Sequence, residues 1–278
     1  MATFKGIDIS KWQGNVDFKK VKASGIQFVI IKAGEKNFAD SKFETYYKGA
    51  TDAGLSVGAY WYTHAKSVAE VQAEMNACIN VIKGKKFDYP IFLDIEGEAL
   101  SAPVGTIQNI ICTWCDTMFA KKWYAGIYMS KSPLSALNNK VIGKYPIWVA
   151  QYASKCTYKG SYGMWQYSST GRVSGISGNV DMDTSYVYYP AYIKAGGFNG
   201  YSATPQTGKV NITVDMPVLR KGQRNRAVRV WQSILDIVST AVFDDKTEQY
   251  TKEWQAEHGL TADGVVGKET WTKGLNSL

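Results

Sequence analysis

The sequence predicts an α/β protein: an incomplete, irregular (β/α) barrel of eight strands followed by a small C-terminal helical domain. Two observations carry this. Short apolar runs rich in β-branched and aromatic residues recur in alternation with amphipathic helical stretches, the grammar of a parallel α/β fold. A Gly/Ser/Thr/Pro-rich segment without apolar periodicity, "AGGFNGYSATPQTGK" at 195–209, then separates these runs from a different, helical pattern. The expected division is residues 1–194, a linker at 195–209, and residues 210–278.

The eight strand candidates are "FKGIDIS", "IQFVIIKA", "LSVGAYWY", "YPIFLDIE", "YAGIYMS", "YPIWVAQY", "YGMWQYSS" and "SGNVDMD". Helical stretches lie around 16–24, 41–53, 67–83 and 104–121. The last three strand candidates follow one another with little room for helices, so the helical layer is expected to thin there. In the C-terminal part, "VLRKGQRNRAVRVWQSIL", "TEQYTKEWQAEHGL" and "DGVVGKETWTKGL" read as helices with Gly-rich turns, with an echo between "VWQ" and "EWQ".

The chain has 278 residues, 45% of them hydrophobic, and a net charge of +8. Residues 1–208 hold 22 Lys/Arg against 15 Asp/Glu, and residues 210–278 hold nine of each. The lysines of the first part are scattered, with no basic helix or aromatic-basic motif, so a nucleic-acid partner is not expected and an anionic polymer suits the diffuse field equally well. No stretch approaches ~18 apolar residues and no basic-then-apolar leader opens the chain, which argues against membrane insertion and a signal peptide. Synthesis in a cytoplasm, with action on the cell wall after membrane breach, is the matching expectation. "CTWC" at 112–115 has metal-site spacing, but its surroundings, "TIQNIICTWCDTMFAKKW", read as an amphipathic helix in which cysteine is a small apolar residue. Neither a metal nor a cofactor is expected.

The chemistry is expected where the strands end. Each apolar run stops on polar or aromatic residues: Asp8; Lys32 with Glu35; Tyr60 to Tyr62; Asp94 with Glu96; Tyr128; Gln151 with Tyr152; Gln166; Asp181. In parallel barrels the carboxyl ends of the strands meet on one face, and closure brings the first strand to the last. Asp94 and Glu96, two apart on one strand, point the same way. Clustered carboxylates beside Tyr60, Trp61, Tyr62, Tyr128, Trp148 and Trp165 suit a sugar, since aromatic faces stack on pyranose rings and a carboxyl pair serves an oxocarbenium-like transition state. Barrel packing accounts for about half of these aromatics. The candidates for substrate contact are Glu35, Tyr60, Tyr62, Tyr128, Trp148 and Gln166.

Over about residues 3–190 the chain resembles the family 25 glycoside hydrolases, the muramidase-type lysozymes, in the matching stretches "GIDISKWQGNVDF", "FVIIKAGE", "GAYWY", "PIFLDIE", "GIYMS", "IWVAQY" and "WQYSSTGRVSGISGNVDMD". The resemblance implies cleavage of the β-1,4 bond between N-acetylmuramic acid and N-acetylglucosamine in bacterial peptidoglycan, with Glu96 as proton donor and Asp94, Asp8 and Asp181 completing the acidic site. An endolysin-like lysozyme is the expectation, with a bacterial autolysin of the same activity, or a hydrolase of another N-acetylglucosamine polymer, as the alternatives. Two departures stand out: "KAGEK" replaces the usual "KATEG", and Asp183 stands where the family usually has Asn, which is expected to add a carboxylate at the rim. Residues from about 215 to 278 resemble the small helical peptidoglycan-binding domains.

Overall fold

The computed structural model describes residues 3–203 and 216–276. Two compact units divide at Thr207/Gly208. The strands of the first unit are β1 (Phe4–Ile9), β2 (Phe28–Glu35), β3 (Phe38–Ala39), β4 (Ser56–Thr63), β5 (Ile91–Ile95), β6 (Ala125–Ser130), β7 (Ile147–Ala150), β8 (Met164–Gly171) and β9 (Val180–Ser185). All eight predicted strands are present. β3, a two-residue partner of β2, is added. Its helices are α1 (Phe18–Ala23), α2 (Phe43–Asp52), α3 (Val68–Ile82), α4 (Val104–Ala120), α5 (Lys131–Ser135), α6 (Asn139–Ile142) and α7 (Tyr189–Ala195). Asp17 and Ser67 cap α1 and α3 by accepting from backbone N–H groups three residues on, the local reason these helices begin there. Between β6 and β7 the helices shrink to single turns, and none joins β7 to β8.

Pairing runs β1-β2-β4-β5-β6-β7-β8 in parallel, and β9 closes the barrel antiparallel to both β8 and β1. Strands buried on both faces need apolar residues at nearly every position, which is why they read as continuous runs. Ile7, Val29, Ile31, Val57, Leu93, Ile127 and Val149 point outward into a core shared with the helices. Phe28, Ile30, Phe92, Trp148 and Met164 point inward and fill the barrel's floor with Tyr89, Tyr189 and Ile193. Gly6 completes this layer: a Cβ there would lie 2.2 Å from the Phe28 ring. Cys115 and Trp114 of α4 are buried and Cys112 is half-buried, so the "CTWC" pair packs as part of the helix's apolar side.

The expected linker starts too early. Asn199 is fully buried; its Nδ2 donates to the Tyr89 carbonyl at 2.9 Å and its Oδ1 accepts from the Tyr124 N–H at 2.7 Å. Phe198 and Tyr201 pack against the floor cluster. Residues 195–203 therefore belong to the barrel, and positions 204–209 of the expected linker lie outside the described residues.

In the second unit α8 (Arg226–Ile234), α9 (Asp245–Glu257) and α10 (Lys268–Leu275) surround Leu219, Val228, Trp231, Phe243, Val266 and Trp271. The "VWQ"/"EWQ" echo is structural. Gln232 Nε2 donates to Thr240 Oγ1, the Val242 carbonyl and Thr247 Oγ1, and its Oε1 accepts from the Ala241 N–H. Gln255, 23 residues later in the sequence, repeats the pattern at the same offsets with Asp263 Oδ1, the Val265 carbonyl, Thr270 Oγ1 and the Gly264 N–H. Each glutamine is a buried node tying a helix to the turn and helix that follow.

Candidate active site

The strand ends bring Asp8, Asp94, Glu96 and Asp181 together at the barrel mouth. Asp8 and Asp181 are direct partners across the β1/β9 seam. Because β9 runs against its neighbours, Asp181 reaches the mouth from the start of its strand. The same reversal corrects the expectation for Asp183: two residues further along an antiparallel strand lies deeper, not at the rim. It is 0% exposed and opposite Gly6.

Glu96 is partly buried, and burial raises its proton affinity, with the Asp181 charge adding to the effect and a hydrogen bond from Tyr128 opposing it. Asp94 is more deeply buried and also raised, by burial and then by Glu96, against the pull of Lys32; its Oδ1 has no hydrogen-bond partner among the described residues. Burial, then Asp183 and Asp181, raise Asp8, while burial raises Asp181. Gly97 follows Glu96 with φ +51, and a Cβ there would lie 2.5 Å from the Tyr62 hydroxyl. That position needs a residue with no side chain, so that the chain can turn away directly after the acid.

Gln166 braces the cluster. Its Nε2 donates to Asp8 Oδ2 at 2.7 Å, while Oε1 accepts from Tyr128 at 2.8 Å and Tyr152 at 3.0 Å. It is 2% exposed and Trp148 1%, so neither offers a surface to a sugar, contrary to expectation. Trp148 lies against Tyr128, ring centroids 4.5 Å apart, and donates from Nε1 to Asp183 Oδ1 at 2.8 Å. Tyr128 is buried and bridges Gln166 and Glu96. Tyr60 and Tyr62 remain partly open at the mouth, with Lys32 Nζ 4.9 Å from the Tyr62 ring centre. Glu35, to one side, pairs with Lys32 at 2.8 Å, which holds its carboxyl below the usual range. His64 bonds Glu98 beside it.

Sequence reasoning passed over Trp12, 80% exposed just beyond β1, and left Tyr152, 58% exposed after β7, out of the contact candidates. Both follow strand ends by only a few residues, and that position was the available signal.

A closed barrel with buried and half-buried carboxyls at the strand ends and partly open tyrosines beside them has the make-up of a glycoside hydrolase. The chain belongs to the family 25 glycosyl hydrolases, whose profile matches residues 7–176. Residues 227–273 match a peptidoglycan binding domain. The autolytic lysozyme of Clostridium acetobutylicum is 27% identical over 98% of this chain and 99% of its own. Lysozyme M1 of Streptomyces globisporus is 33% identical over 64% of this chain and 66% of that protein. Among solved structures, the CTP1L endolysin (32% identity, TM-score 0.62) covers 69% of this chain and 70% of that one. The modular autolysin LytC of Streptococcus pneumoniae, solved with a synthetic peptidoglycan ligand (27% identity, TM-score 0.61), covers 66% of this chain, which spans 47% of LytC.

Proposed function

We propose that the protein is an N-acetylmuramidase, cutting the β-1,4 bond between N-acetylmuramic acid and N-acetylglucosamine in peptidoglycan, with the second unit holding it to the wall. The observation that carries this reading is the Asp94/Glu96 pair: two acids of raised proton affinity, two residues apart at the end of one strand of a family 25 barrel. Burial raises the proton affinity of Glu96, the direction a general acid requires. Tyr128 has one hydroxyl proton for two neighbours. While it donates to Gln166, its oxygen can accept from protonated Glu96; when Glu96 has given its proton to the leaving oxygen, the phenol can turn its hydrogen to the new carboxylate, and Tyr152 keeps Gln166 satisfied.

Asp94, on the same side as Glu96, suits the role of holding the substrate's N-acetyl group so that its carbonyl attacks the anomeric carbon, better than that of a nucleophile on the opposite face. Tyr60, Tyr62, Tyr152 and Trp12 supply aromatic surface for the neighbouring sugars.

Mass spectrometry of fragments from purified peptidoglycan tests the bond cut. New reducing ends on muramic acid are expected, whereas reducing N-acetylglucosamine ends or released peptides would overturn the reading. Glu96→Gln should lose ~10²-fold or more in kcat with an unchanged melting curve. The isolated unit 208–278 should sediment with purified walls; if it stays in solution with walls of every bacterium tried, the wall-holding role fails.

A further inference from the structure

We infer that Asp183 is a positioning residue that shares one proton with Asp8, so that a neutral carboxylic acid beneath the mouth fixes the Asp8 carboxyl in place. The hydrogen-bond directions make the case. An indole N–H can only donate, so Trp148 makes Asp183 Oδ1 an acceptor. Asp183 Oδ2 is buried from water and receives no donor from the described residues. An ionised oxygen in that position would face Asp8 with nothing to offset it. Asp8 cannot supply a donor while ionised, and its Oδ2 already accepts from Gln166, whose orientation is set by the two tyrosine hydroxyls donating to its Oε1. The two aspartates lie in hydrogen-bond contact. One proton between them satisfies the contact, and two ionised carboxylates would not.

Among the described residues no cation takes its place. Tyr60 from β4, Tyr128 from β6 and Tyr152 beyond β7 stand near the pair as phenols, β9 adds the acid Asp181, and Lys32 of β2 is engaged by Glu35. Burial favours the neutral form of both acids, and the bond between them raises Asp8 while lowering Asp183. The pair titrates as a unit, so the shared proton belongs to both groups. Antiparallel β9 is what makes the arrangement possible, since it turns Asp183 down beside the side-chain-free Gly6.

The inference takes its kinetic consequence from the proposed glycosidase reading; the proton itself can be measured without substrate. Carboxyl ¹³C NMR of the aspartate-labelled protein at pH 7 should show a protonated aspartic acid, absent in Asp183→Asn. Aspartates that are all ionised at that pH would overturn the shared proton. An asparagine reproduces the acceptor for Trp148 and a donor for Asp8 but has no proton to lose. The ratio of kcat/KM for Asp183→Asn to that of wild type should therefore rise with pH on the alkaline side, by up to about tenfold per pH unit once the pair deprotonates. Glu96 ionises in both proteins and cancels from the ratio. A ratio flat with pH, alongside a protonated carboxyl in the spectrum, would remove the positioning role. Loss of muramidase activity in the wild type itself would instead count against the proposed reaction and leave the spectrum to decide the proton.

Discussion

Replacing Asn199 with Ala tests whether the polar segment after α7 is structural. The side chain serves two buried backbone groups, the Tyr124 N–H and the Tyr89 carbonyl, and alanine leaves both without partners. Each orphaned group costs ~1–3 kcal/mol. Asn199 also sits at φ +53, a left-handed conformation that alanine adopts at a further cost of ~1 kcal/mol. The backbone bonds from Asn199 N to the Lys122 carbonyl and from the Phe87 N–H to the Asn199 carbonyl can persist, so the expected total is about 3–7 kcal/mol. That is a large share of the ~5–15 kcal/mol that holds a typical domain folded. Urea unfolding of residues 1–203, followed by tryptophan fluorescence, should show the midpoint fall with the slope unchanged. A fragment ending at residue 194 should be destabilised at least as much, while one ending at 203 should match the barrel in the full chain. An alanine variant within ~1 kcal/mol of wild type would refute the reasoning, because two buried polar groups cannot lose their partners at so small a cost.

Asp8, Asp94, Glu96, Asp181 and Asp183 all bind protons more tightly folded than free, chiefly through burial. The stability they contribute is full below the unfolded pKa near 4 and is lost as pH rises through the folded values, with a slope of up to ~1.4 kcal/mol per pH unit for each group. The melting temperature of the barrel should thus fall between pH 5 and pH 8, by less in Asp94→Asn, and equal falls in both would count against burial of that acid. Gly97→Ala, strained at φ +51 and pressed on the Tyr62 hydroxyl, should lower kcat by about tenfold or more with the fold retained; unchanged kinetics would show that the turn does not place Glu96. Gln232→Ala and Gln255→Ala, each breaking an equivalent buried node, should each cost the isolated second unit about 2–4 kcal/mol in thermal unfolding. A difference between them much above ~1 kcal/mol would mean that the two nodes are not mechanically alike.

Strand existence was legible because two-sided burial leaves a continuous apolar run, and Asp94 and Glu96 were legible because two carboxylates ending such a run need a reason. Direction was not. A strand's alternation is the same read either way, so nothing in "SGNVDMD" told that β9 is reversed, and the depth of Asp183 was misjudged with it. Aromatic and amide side chains at strand ends also look alike whether they face a ligand or brace an acid. Trp148 and Gln166 turned out to brace, and only their neighbours in space distinguish the two roles. Asn199 was hidden by composition: one buried amide among glycines and serines reads as part of a flexible stretch. The glutamine echo was visible, yet three matching letters carry no geometry, and it is the shared offsets of the hydrogen bonds that give it meaning.

The reversed strand also decides where the barrel's chain enters and leaves. β1 begins at the floor and β9 returns to it, with Phe4 paired to Ser185, and the chain then runs through α7 to Phe198 and Tyr201 under the same end. Entrance and exit are therefore neighbours on the face opposite the chemistry. Cargo fused ahead of β1 would therefore begin at the floor of the barrel, beside the Phe4/Ser185 pair and at the end of the strands away from the four acids.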